Sequence, residues 1–164
     1  MPLAVDRYEL GPIGTNCYVV RNDRGATDAV VIDPGADAAD LRLELARMGA
    51  RCVAILITHG HYDHLGAVAD LAGITFETIR VPGHSPAHLS YYADGALFSG
   101  DVLFAGSVGR TDLPGGDWET LVASIRTLAE RFPPETVVYS GHGPPTTLGD
   151  ELARNPFLSE LRTS

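Results

Sequence analysis

The junction "RCVAILITHGHYDHLGA", residues 51–67, constrains this chain more than any other feature. An apolar run long enough for a strand stops at Thr58. The next six residues carry His59, His61, Asp63 and His64, half of the chain's six histidines with a carboxylate among them. A continuous apolar run reads as a strand buried on both faces, and such a strand needs a layer on each side of its sheet. Open α/β folds gather ligands at the carboxyl ends of their strands, where this loop lies. The spacing H-x-H-x-D-H is too short for a regular helix face and too polar for a core, yet a turn can aim all four side chains into one pocket. Imidazole mixed with carboxylate suits zinc, iron or manganese rather than calcium or magnesium. Without a cation, four such groups in one place would repel one another or stay unsatisfied.

The rest of the chain alternates strand and helix signals. Residues 3–10 read as a strand, "GPIGTN" as a turn, "CYVVR" as a second strand, "NDRG" as a hairpin turn and "DAVVID" as a third strand. In "DAADLRLELARMG", Leu41, Leu45 and Met48 fall on one helical face, with Asp37 as the cap and Gly49 at the end. After the histidine loop, "HLGAVADLAG" predicts a short helix closed by Gly73, and "ITFETIRVPG" a strand. "LSYYADGALFSGD" is a hairpin turning at Asp94 and Gly95, followed by a Gly-rich loop over 102–116. The strongest helix is "DWETLVASIRTLAERF", whose Leu121, Ile125, Leu128 and Phe132 form one stripe ended by Pro133 and Pro134. "TVVYSGHG" is a strand running into a loop, and a short helix covers "GDELARNP". Repeats and linkers are absent, so the expectation is one layered α/β domain over residues 1–164. The length of 164 residues and the 45% hydrophobic content suit a single core.

The net charge is −9 and no basic run occurs. A nucleic-acid partner needs a basic patch to replace phosphate counterions, so the composition argues against that class. An anionic small molecule is not excluded, because a bound metal reverses the local sign. Cys17 and Cys52 lie in apolar runs and are expected as buried small hydrophobes, too few for a disulfide framework. "MPLAVDRYEL" has neither a basic start nor an apolar core, and no stretch reaches membrane-spanning length. The expectation is a cytoplasmic protein, monomer or homodimer, with no membrane partner.

"THGHYDHLG" resembles the signature of the metallo-β-lactamase superfamily. "VPGHSPAHLSYY" resembles the next histidine motif and gives His84, "LFSGDVLF" the bridging-aspartate motif and Asp101, and "VYSGHGPPT" the last histidine motif and His142. The resemblance implies an αββα sandwich with a two-metal site at its edge. His59, His61 and His84 would hold one ion, Asp63, His64 and His142 the other, and Asp101 would bridge them. Asp63 and Asp101 would be the catalytic carboxylates, and the two divalent ions would be zinc, with iron or manganese as alternatives. β-Lactamases of the commonest class place a cysteine where Asp101 stands, which argues against a β-lactam substrate. "GSVGRTDLPGGD" and "GHGPPTTLGDELARNPFL" are similar to the small glyoxalase II-like hydrolases, which cleave glutathione thioesters such as S-lactoylglutathione. The implied chemistry is attack of a metal-bridging hydroxide on a thioester carbonyl. Thiolate is a good leaving group, so no strong general acid is needed. Two rivals are a persulfide dioxygenase with a single iron, which the chain resembles at "GRTD", and a non-catalytic relative.

Other residues carry weaker signals. His88 fits either a structural histidine at a strand start or a contact to a ligand or substrate. Asp33, in "VIDPG", fits either an acceptor that orients a metal ligand or a cap on the next turn. Arg110 and Asp112 read as an ion pair, with loop bracing or substrate binding as the alternative. Tyr91, Tyr92 and Phe98 read as core residues, and Trp118 as packing. The family usually carries several tens of extra residues between the helix after the first motif and the strand before the next histidine. Here "LGAVADLAGITFETIRVPGH" runs straight across. A helix to Ala72 would lead about 13 Å out, and a strand from Ile74 to Val81 about 26 Å back, so His84 can return to the site.

Overall fold

The computed structural model describes residues 2–34, 38–59, 68–71 and 73–162. Two sheets pack face to face with helices outside them, the α/β sandwich expected from the motifs. The first sheet contains β1 (Ala4–Leu10), β2 (Thr15–Arg21), β3 (Asp28–Ile32) and β4 (Arg51–Leu56) in that spatial order, antiparallel except for the β3–β4 pair. The helix α1 (Ala38–Arg47) makes the crossover that a parallel pair requires. The second sheet holds β5 (Val68–Leu71), β6 (Ile74–Arg80), β7 (Leu89–Ala93) and β8 (Ala96–Gly100). After the small hairpin β9 (Leu103–Phe104) and β10 (Ser107–Val108), α2 (Trp118–Arg131) leads to β11 (Val137–Ser140), which runs parallel to β8. β12 (Thr146–Thr147) closes that edge, giving the order β12-β11-β8-β7-β6-β5. α3 (Leu148–Arg154) and a 3-10 stretch, Pro156–Arg162, follow.

Alternation along the strands builds three apolar layers. On β2, Cys17 and Val19 face outward onto Leu41 and Leu45 of α1, while Tyr18 and Val20 face inward onto Phe76, Tyr91 and Phe98 of the second sheet. Leu97 and Val138 face the opposite way, onto Leu121, Ile125 and Leu128 of α2. The helix stripe read from sequence is therefore the face that α2 buries, and Asp117 caps it by accepting the Thr120 N–H at 3.0 Å. The Asp94–Gly95 turn is present, with φ of 43° and 79° as a tight two-residue hairpin requires. Asp37, read as the cap of α1, lies outside the described residues.

Three expectations fail. Residues 68–71, read as part of a helix, form β5, with Val68 opposite Glu77 and Leu71 opposite Ile74. The intervening turn contains Gly73 at φ 74°. A helix of so few residues gains little on its own, whereas the edge of β6 offers ladder hydrogen bonds. The run 51–57, read as buried on both faces, is buried on neither fully. Val53, Ile55 and Ile57 are 42%, 57% and 38% exposed. β4 is an edge strand whose Ala54 and Leu56 pack inward, and no described element covers its outer face. Cys52 is exposed for the same reason, against expectation, while Cys17 is buried and its thiol is pushed up to about 12 by desolvation. No helix among the described residues is long and apolar enough to cross a membrane.

Candidate metal centre

Four strand ends meet at Asp101. His59 follows β4, His84 follows β6, Asp101 follows β8 and His142 follows β11. The Nε2 atoms of His142, His84 and His59 lie 3.4, 3.7 and 4.0 Å from the same oxygen, Asp101 Oδ2. These are long for hydrogen bonds. They begin at the spacing of two ligands that share one ion, since tetrahedral bonds of about 2.1 Å leave ligand atoms about 3.4 Å apart, and the His84 and His59 contacts are somewhat longer. His59, His84 and Asp101 can offer ligand atoms that all lie within 4.8 Å of one another.

The far side of each ring explains its orientation. Nδ1–H of His84 donates to the Arg110 carbonyl at 2.8 Å, and that of His142 to the Gly14 carbonyl at 3.1 Å. For His59 the partner is Thr58 Oγ1 at 2.7 Å, and this hydroxyl has already given its proton to Asp33 Oδ2, also at 2.7 Å. Each Nδ1 faces an acceptor and so carries the ring proton. The neutral ring with its proton on Nδ1 has its Nε2 lone pair on the Asp101 side, the tautomer that binds a metal. The donor set therefore fits a divalent cation.

Asp33 accepts both the backbone N–H and the hydroxyl of Thr58, at 2.8 and 2.7 Å, so it acts on His59 through Thr58. Burial raises its carboxyl pKa, and the Thr58 hydrogen bonds oppose the rise. It sits at φ 51°, a left-handed conformation that aspartate tolerates better than most residues. The Thr58 carbonyl accepts from Leu89 N–H at 2.6 Å and the Ile57 carbonyl from Tyr91 OH at 2.7 Å, lashing the end of β4 to the second sheet.

His88 is fully buried and belongs to the scaffold. Its Nε2 accepts the Asp101 backbone N–H at 3.1 Å, and its ring stacks on His59 at 4.8 Å between centroids. Desolvation and the neighbouring rings lower its pKa to about 3, so it stays neutral. Arg110 and Asp112 form an exposed two-pronged ion pair with both contacts at 2.6 Å. The guanidinium holds the Asp112 carboxyl down to about 2, and what Arg110 gives the site is its carbonyl. His61, Asp63 and His64 lie outside the described residues.

The sequence reading missed the residues that let these groups meet. A Cβ at Gly141 would collide with Asp101 Oδ1, and one at Gly109 with the Asp101 carbonyl. A Cβ at Gly100 would sit 2.5 Å from Thr58 Oγ1 and 2.6 Å from His88. The available signal was glycine beside each functional residue, in "SGD", "SVGR" and "SGHG". Asn16 was also missed, a buried polar residue inside an apolar strand.

The Metallo-beta-lactamase superfamily model matches residues 10–81 and 73–142, most of the chain. The chain belongs to the metallo-β-lactamase superfamily. The match falls into two pieces that overlap at 73–81, so its break lies at the stretch where the sequence is shorter than the family pattern. The probable metallo-hydrolase YqgX of Bacillus subtilis (strain 168) is 33% identical, covering 93% of this chain and 96% of its own. That alignment spans 206 positions against 164 residues here, so the relative carries residues this chain lacks. Hydroxyacylglutathione hydrolase GloC of Haemophilus influenzae (strain ATCC 51907 / DSM 11121 / KW20 / Rd) is 30% identical over 88% of this chain and 92% of its own. Among solved structures, the BLEG-1 B3 metallo-beta-lactamase superposes at TM-score 0.86 with 37% identity, over 95% of this chain and all of that one. TTHA1623 in a di-iron-bound form superposes at 0.79 with 38% identity, over 94% of this chain and all of that one.

Proposed function

We propose that this member is a two-metal hydrolase of thioesters of the hydroxyacylglutathione type. The observation that carries the reading is the convergence of three imidazole Nε2 atoms on Asp101 Oδ2, at 3.4, 3.7 and 4.0 Å, with every Nδ1 tied back to an acceptor. In this reading His59 and His84, with His61, would hold one ion. His142, with Asp63 and His64, would hold the other, and Asp101 would be shared by both. Divalent ions bound there would supply a Lewis acid for the carbonyl oxygen and lower the pKa of water. Zinc and iron both accept this ligand mix, and the di-iron form of the relative TTHA1623 supports two ions. Asp101 would be the ligand common to both ions, while the carbonyls of Arg110 and Gly14 and the Thr58 hydroxyl fix the imidazoles. Among the described residues, His59 and His142 are part-exposed, which suits contact with a small thioester.

The thioester class rests on the similarity to hydroxyacylglutathione hydrolase GloC and on the "GHGPPTTLGDELARNPFL" stretch. Its test is free-thiol release from S-lactoylglutathione by protein loaded with zinc or iron, with a cephalosporin assayed in parallel. Thioester cleavage that a chelator abolishes supports the reading. Two bound ions with cleavage of the cephalosporin alone would overturn the substrate class. A single iron with oxygen uptake on glutathione persulfide would replace the hydrolase by the dioxygenase.

A further inference from the structure

We propose that Asn16 is a positioning residue for the His142 half of the centre, setting metal affinity there from the opposite sheet. The inference rests on the ligand role of His142 given above.

His142 stands on the loop 140–143 that leaves β11. Every carbonyl of this loop is engaged. That of Ser140 accepts from Tyr18 OH at 2.5 Å and Asn16 Nδ2 at 2.9 Å, and that of Gly141 accepts from Asn16 N–H at 2.8 Å. The His142 carbonyl accepts from Ser140 Oγ at 2.7 Å, and that of Gly143 from Asn16 Nδ2 at 2.9 Å and Arg7 Nη1 at 2.6 Å. All but one of these bonds come from β1 and β2, in the other sheet.

Asn16 is the centre of this clamp. A carboxamide has two N–H bonds. They reach carbonyls on either side of His142, so the side chain spans the ligand like a staple. Nδ2 also lies 3.2 Å from the Tyr18 hydroxyl, but the two carbonyls are nearer, at 2.9 Å each, and can only accept, which fixes the nitrogen end of the amide. Asn16 is fully buried, and its Oδ1 has no partner among the described residues. A side chain present for packing alone would not bring an unsatisfied oxygen into the core. The clamp also acts on one side only. His59 and His84 take their orientation from Thr58 and from the Arg110 carbonyl, neither of which bonds to Asn16.

The test is zinc titration of the metal-freed protein against a chromogenic chelator, alongside its melting temperature. The variants are Asn16→Asp, which puts an oxygen against the two carbonyls, Asn16→Leu, which leaves no orphan polar atom, and Tyr18→Phe, which deletes one donor of the same clamp. His142→Ala is the reference. The expected result is that both Asn16 variants weaken one of two ions about 10–100-fold, the size typical of groups that orient a metal ligand. That ion should be the one His142→Ala removes, with the other unchanged and Tyr18→Phe showing a smaller loss of the same kind. Asn16 and Tyr18 variants that titrate like the parent, whatever their melting temperature, overturn the proposal, as does equal weakening of both ions. If His142→Ala itself titrates like the parent, the ligand reading fails first and the proposal with it.

Discussion

Two strand ends deliver histidines to Asp101 and are supported in opposite ways. The loop after β11 has every carbonyl from 140 to 143 bonded, largely by the first sheet. The end of β4 is braced from within by Asp33, Thr58, His88 and Tyr91, but β4 is an edge strand with an exposed apolar outer face. It leads, past His59, into residues 60–67, which lie outside the described residues. The difference teaches that contacts between the two sheets steady His59 and His142, while the Arg110 carbonyl on the loop after β10 aims His84. The family match breaks at 73–81, within and beside β6, and His59, His84 and His142 still converge on Asp101.

The comparison can be broken at Asp101, where both halves meet. Asp101→Ala should strip most metal from both positions. Groups that merely orient ligands are worth about 10–100-fold, so losing the shared ligand should cost at least about 100-fold in kcat/KM, read by elemental analysis and thiol release. Gly141→Ala sharpens it from the β11 side, because the added methyl collides with Asp101 Oδ1. It should lower metal affinity about 10–100-fold in a folded protein, read by chelator competition and circular dichroism. On the β4 side, His88→Ala should leave the metal count unchanged. It should cost about 1–3 kcal/mol of stability, by leaving the Asp101 N–H unpaired. Denaturant unfolding measures that, and a lost ion would make His88 a ligand.

The smallest effect lies on the outer face of β4. Ile55→Ala should change stability by no more than about 0.5 kcal/mol, as an exposed substitution does. Ile32→Ala on the neighbouring β3, fully buried between the sheets, should cost about 2–5 kcal/mol. Equal losses in urea unfolding would mean that β4 is covered in solution.

The same contrast marks what the sequence could and could not disclose. His84, Asp101 and His142 were legible because each sits in a short local motif at a strand end. The α2 stripe was legible because periodicity reports a buried face directly. Asn16 was not, because its partner Ser140 lies 124 residues away and no local pattern encodes that contact. The exposure of Val53 and Ile55 was hidden because an apolar run shows what a strand could bury, never whether a second layer exists to bury it. The strand at 68–71 was missed because so short a segment takes its conformation from its partner, here β6, rather than from its own residues.

The central claim is that these strand ends build a two-metal centre on Asp101. The most direct test is the metal content per chain of protein purified without chelators, by elemental mass spectrometry. Two equivalents of zinc, iron or manganese are predicted. A folded protein that holds one ion or none, and takes up no second ion when zinc is added, would contradict it.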